Sequence, residues 1–109
     1  MSISIVKRKV SAPSVQLDDE RKIALTRFAD LIDSVLIDKT DDVTFGKIVQ
    51  HAVTYHGLPS GELADAFGVN KGTVSRWSAG KNAPQPFARP VVIVWIRDWV
   101  KSEADKYKL

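Results

Sequence analysis

The sequence predicts an all-α fold, one domain built from five helices. Three observations predict it. Apolar residues at Leu25, Phe28, Ile32 and Val35 recur at steps of 3, 4 and 3, which is the period of a helix face. Gly57, Gly68 and Gly80 fall where periodic segments end, the position at which glycine commonly closes a helix. Asp18, Thr44, Ser60 and Asn70 stand where such segments begin, and their side-chain oxygens suit the free N–H groups of a first turn.

Residues 1–16 carry Lys7, Arg8 and Lys9 without an acid and are expected to be a flexible basic arm. Residues 17–109 are expected to form the single helical domain. Its first helix, 18–37, starts with Asp18, Asp19 and Glu20, carboxylates that suit the positive end of a helix dipole; Leu31 and Leu36 widen its apolar stripe. The second helix is capped by Thr44 and offers Ile48, Val49, Ala52, Val53 and Tyr55 for burial. Two short helices follow, opened by Ser60 and capped by Asn70. The stretch K-N-A-P-Q-P-F-A-R-P holds three prolines and reads as a connection. Pro90 fits the first turn of a last helix, 90–106. That helix begins V-V-I-V-W-I and is apolar nearly all round. It is either a central core helix or one whose second face meets another subunit, with Val92, Trp95, Ile96 and Trp99 as the dimerisation set.

Composition narrows the function. The 44% apolar content supports a small core. No run approaches the roughly 18 apolar residues of a membrane span, and the first ten residues lack the pattern of a signal peptide. With no cysteine, the chain has neither disulfide nor thiolate chemistry, and a cytoplasmic setting is expected. The net charge is +3, unevenly spread: residues 17–42 hold eight acids against four bases. Between Asp65 and Asp98 there is no acid, while Lys71, Arg76, Lys81 and Arg89 fall there. A surface cleared of carboxylates suits a polyanion partner.

Residues 58–84 carry the clearest signal. Leu63, Ala64 and Phe67 line one face of the third helix, and Val74 and Trp77 the inner face of the fourth. Gly68 sits where a tight turn calls for positive φ. Lys71, Gly72, Ser75 and Arg76 are left on the outer face, which holds donors and no carboxylate. The run L-A-D-A-F-G-V-N-K-G-T-V-S-R-W-S-A-G-K-N-A-P, residues 63–84, resembles the helix-turn-helix of the Xre type, shared by lambdoid phage repressors and Cro proteins. The glycine, T-V-S-R-W and the closing G-x-x-x-P agree in register.

The resemblance implies a lambda-repressor-like helix-turn-helix core at about 44–84, with the acidic helix 18–37 and the apolar last helix as additions. It implies a prokaryotic or phage transcriptional regulator, a repressor that binds double-stranded DNA at an inverted-repeat operator as a homodimer. Matching positions make Lys71, Gly72, Ser75 and Arg76 the base-contacting set and Ser60, Thr73, Lys81 and Asn82 the phosphate-contacting set. Arg76 is placed for a bidentate contact to guanine, worth ~1–3 kcal/mol of discrimination. One departure is Ser78, where the family usually has glutamate. The alternative is an interaction module of antitoxin or antiactivator type, using helix 18–37 or the last helix to bind a protein.

Catalysis and metals find no support. His51 and His56 are five residues apart and diverge on a helix, unlike the i, i+4 pair of a zinc site. Asp30 and Asp33 share an acidic surface with no nucleophile in pattern. P-loop, G-x-G-x-x-G and G-x-S-x-G motifs are absent. No enzyme, cofactor or metal role is expected.

Overall fold

A computed structural model describes residues 4–37 and 40–107, with side chains described for 18–35 and 40–107. Among these residues there are five helices and no strand: α1 (Ser4–Ile37), α2 (Asp42–Thr54), α3 (Ser60–Phe67), α4 (Lys71–Ser78) and α5 (Arg89–Ala104). No helix among them is long and apolar enough to cross a membrane.

Helix α1 begins earlier than the sequence suggests. Asp18 lies inside it and is not its N-cap, and the segment expected as a flexible arm is helical from Ser4. Residues 1–3 lie outside the described part. The expected start rested on Asp18 as a cap with Asp19 and Glu20 in the turn after it. A helix that is already nucleated gains one backbone bond per added non-proline residue, so carboxylates near Asp18 need not mark its first turn. The packed part of α1 buries Leu25, Phe28, Ala29 and Ile32, and Val35 lies half-buried beside them. Leu31, expected to widen the stripe, is 55% exposed; it lies at the edge of an apolar groove shared with Thr44, Lys47 and Ile48 of α2.

The N-cap of α2 is Asp41, not Thr44. Its carboxylate accepts the Thr44 N–H at 2.7 Å, a bond that holds the Asp41 carboxyl below its ordinary range. Phe45, Ile48, Val49 and Ala52 face the core, whereas Tyr55 is 69% exposed rather than buried. Tyr55 lies beyond the last turn, where the chain leaves the α2 axis.

Helix α5 packs chiefly on α1 and secondarily on α2. Val92, Ile93, Ile96, Val100 and Ala104 form its buried stripe. Of the four residues expected for dimerisation, two are taken up by this stripe. Val92 and Ile96, at 3% and 0% exposure, are inside their own chain's core, and Trp95 and Trp99 are half-buried against it. The turns that looked apolar all round split into a buried stripe and a flank on which Val91 is 60% exposed.

Polar ties hold this layer in register. The Lys22 ammonium donates to the Ala104 carbonyl at 2.9 Å, a cation at the negative end of α5. Arg97 pairs with Asp33 at 2.9 Å, and this bond, with the nearby Lys101 charge, keeps the Asp33 carboxyl below its usual range despite some desolvation. Arg21 reaches past α2 to donate to the His56 carbonyl at 2.6 Å and to His56 Nδ1 at 3.3 Å. His56 is buried and stacked on Phe28, ring centres 4.9 Å apart. Since arginine only donates, Nδ1 is an acceptor and the imidazole carries its proton on Nε2, which has no partner among the described residues. Desolvation, reinforced by the charges of His51 and Arg21, pushes the His56 pKa down to about 4.

Candidate nucleic-acid interface

The candidate interface is the pair α3 and α4 with the turn between them. Gly68 closes α3 at φ +65°, a left-handed conformation that a side chain would disfavour. The Val69 N–H then bonds back to the Ala64 carbonyl at 3.0 Å. Asn70 caps α4: its Oδ1 accepts the Thr73 N–H at 2.8 Å. Leu63 and Ala64 on α3 and Val74 and Trp77 on α4 are buried, so each helix turns one face inward. Phe67 is half-buried and meets Trp95 edge-on, ring centres 6.1 Å apart. Helix α4 is seated on α2 by Trp77, whose ring meets Phe45 edge-on at 5.4 Å, and by close backbone approach at Gly46.

With Val74 and Trp77 inside, Lys71, Gly72, Ser75 and Arg76 lie together on the exposed face of α4. Their neighbours divide them. The Arg76 guanidinium folds back along the helix, its Nη2 donating to Thr73 Oγ1 at 3.1 Å. Thr73 Oγ1 lies 3.2 Å from Asn70 Oδ1, to which it donates. Lys71 leans the other way, over the first turn of α3: its Cε is 3.1 Å and its Nζ 3.8 Å from where a Cβ on Gly61 would stand. Lys71 therefore groups with Ser60 rather than with Ser75 and Arg76. Ser60 is the first residue of α3, with Pro59 in the cap position, and first-turn N–H groups have no intrahelical acceptor.

A shallow trough of about 240 Å³ runs between α2, α3 and α4, lined by Gln50, Val53, Ser60, Val74, Ser75, Ser78 and Ala79. It places the Ser60 and Ser75 hydroxyls on one concave surface. Lys81 and Asn82 are exposed in the loop after α4, where Gly80 takes φ +74° and the Lys81 N–H bonds to the Arg76 carbonyl at 2.9 Å. No carboxylate belongs to α4 or to this loop. Glu62 of α3 acts on the Lys106 charge beyond the end of α5.

Two supporting residues went unrecognised in the sequence. A Cβ on Gly46 would stand 3.0 Å from the Trp77 carbonyl oxygen, so α4 rests directly on α2 backbone. Arg89 ties the loop that follows α4 to the start of α2, donating through Nε to the Pro84 carbonyl at 2.9 Å and through Nη1 to the Thr40 carbonyl at 3.5 Å. A glycine inside an otherwise regular helix was the only available signal for the first; nothing local marked the second.

Compared with family models, curated proteins and solved structures, the chain shows no match.

Proposed function

We propose that this protein is a sequence-specific DNA-binding transcriptional regulator of the Xre helix-turn-helix type, with α3 and α4 as its motif and α4 as the helix that enters the major groove. The observation that carries the reading is the two-sided construction of α4: Val74 and Trp77 are buried, while Lys71, Gly72, Ser75 and Arg76 form an exposed face with no carboxylate. Such a face accepts a polyanion without repulsion and presents an exposed arginine to a base edge.

Arg76 and Ser75 read bases. Lys71, with Ser60, grips phosphate at the start of α3, and Lys81 and Asn82 grip it beyond α4. The protein acts as a repressor in a prokaryotic or phage setting, binding an inverted repeat as a homodimer, since a single module of this size buries too little surface for a tight specific site. The exposed pair Phe87 and Val91, at 81% and 60%, supports a protein contact on the α5 flank, in place of the buried Val92 and Ile96.

A salt titration of duplex binding tests the reading. With random-sequence duplex at low salt, weak binding is expected, with a Kd of about 10⁻⁴ to 10⁻⁶ M at physiological salt, lost as salt rises. An adaptor protein built on the same scaffold gives no shift at any salt, and that outcome sinks the proposal.

A further inference from the structure

Thr73 matches a phosphate-contacting position, yet its surroundings assign it other work. A hydroxyl has one proton to donate. The Thr73 hydroxyl gives it to Asn70 Oδ1 at 3.2 Å and receives Arg76 Nη2 at 3.1 Å. Phosphate oxygens only accept, so a phosphate bond from Thr73 requires breaking its bond to the helix cap. The same Asn70 oxygen also holds the Thr73 backbone N–H at 2.8 Å, which fixes the hydroxyl's partner in place.

Gly72 belongs to the same arrangement. A Cβ there would stand 3.1 Å from Asn70 Oδ1 and 3.5 Å from Arg76 Nη1. The guanidinium would meet that Cβ at ordinary contact distance, whereas Asn70 Oδ1, the oxygen that holds the Thr73 hydroxyl, would be pressed. Long helical side chains lean toward the N-terminal end in general, but an exposed arginine ordinarily samples several rotamers. Here the chain Arg76 to Thr73 to Asn70 selects one of them and anchors it to the backbone cap.

We infer that Thr73 is a positioning residue that aims Arg76 at the base edges, with Gly72 leaving room for the Asn70 oxygen that anchors it, and that Thr73 does not itself hold phosphate. The inference rests on the DNA-reading proposal above. Holding the guanidinium before contact lowers the ordering cost of a two-bond pairing to guanine, so specificity at one base position depends on a residue that touches no base.

The test uses the full chain. Selection from a random-sequence duplex library defines the site preferred by the wild type, and binding to that site and to single-base variants is then measured for Arg76→Ala, Thr73→Val, Thr73→Ser and Gly72→Ala. Thr73→Val keeps the branched shape and removes the hydroxyl. It is expected to lower preference at the same base position as Arg76→Ala, by up to about tenfold, while leaving the salt slope as in the wild type. Thr73→Ser restores the preference. Gly72→Ala lowers it at that same position.

If Thr73→Val instead flattens the salt slope by about one unit with base preference unchanged, Thr73 is a phosphate contact and the inference is overturned. Unchanged preference at every position overturns it as well. Failure of the wild type to bind any duplex removes the DNA reading itself, a different outcome from either. A second measurement needs no DNA: the order of the Arg76 Nε–H by NMR relaxation in the free protein is expected to fall in Thr73→Val and recover in Thr73→Ser. Equal mobility in all three overturns the inference.

Discussion

Gly46 lies against Trp77 so closely that a Cβ on the glycine would stand 3.0 Å from the tryptophan carbonyl oxygen and 3.7 Å from Gly80 Cα. Both obstacles are backbone, so a larger residue cannot be relieved by a side-chain rotation. Gly46→Ala is expected to destabilise the fold by about 1–3 kcal/mol, the range for overpacking, against a helix-propensity gain of ~1 kcal/mol. Because α4 would be lifted from α2, duplex binding should weaken too. Chemical denaturation reads the first effect; an unchanged midpoint would contradict the close approach.

Acid should weaken the fold through His56. Its folded pKa, about 4, lies below the ordinary value of about 6.5, so the unfolded chain binds the extra proton. Stability from this residue is therefore full above about pH 6.5 and declines as pH falls toward 4. The loss between pH 7 and pH 5 is about 1–2 kcal/mol. His56→Phe, which retains a ring to stack on Phe28, should flatten the curve of stability against pH over that interval. Parallel curves for the two proteins would show that His56 is not the titrating group.

The two sides of α5 should respond differently. Ile96 is fully buried and Val91 is 60% exposed. Ile96→Ala is expected to cost about 2–5 kcal/mol, and Val91→Ala within about 0.5 kcal/mol. Removal of the whole helix takes Val92, Ile93, Ile96 and Val100 from the core, so the shortened chain should lose its cooperative melt and not merely dissociate. A sharp melt in that chain would mean that α5 is peripheral.

Phosphate contacts and base contacts should separate cleanly. Lys71→Ala and Lys81→Ala are each expected to weaken binding to all sequences alike and to reduce the salt slope by about one. Arg76→Ala should relax one base position. If Lys71→Ala changed base preference instead, its placement over Gly61 would not survive in the complex.

Local chemistry was legible in the sequence wherever a residue acts on its own neighbours. Gly68 and Gly80 take the positive φ expected of helix stops, Asn70 caps α4, and Pro90 sits in the first turn of α5. Helical period likewise named Leu25, Phe28, Ile32, Val74 and Trp77 as inward-facing. What period does not carry is the identity of the covering partner. Leu31 has the right spacing but only edges the groove against α2, whereas Val92 and Ile96 are enclosed by their own chain. Distant pairs left no trace either: Arg21 and His56 are 35 positions apart, and the reach of Arg89 to Thr40 spans 49. The exposed face of α4 was legible as a set, but its division was not, since the lean of Lys71 and the fold-back of Arg76 depend on Gly61 and Thr73 as neighbours in space.

The seating of α4 has an evolutionary corollary. The helix leans on α2 and α3, and the α1–α5 layer meets the motif through α2 and through the edge contact of Phe67 with Trp95. Drift in α1 or α5 thus alters endurance while leaving the exposed face of α4 in place. Conversely, a few residues on that face can be exchanged without rebuilding the body that carries it. Gly46 is the exception that couples the two, a position where neutral wandering is closed.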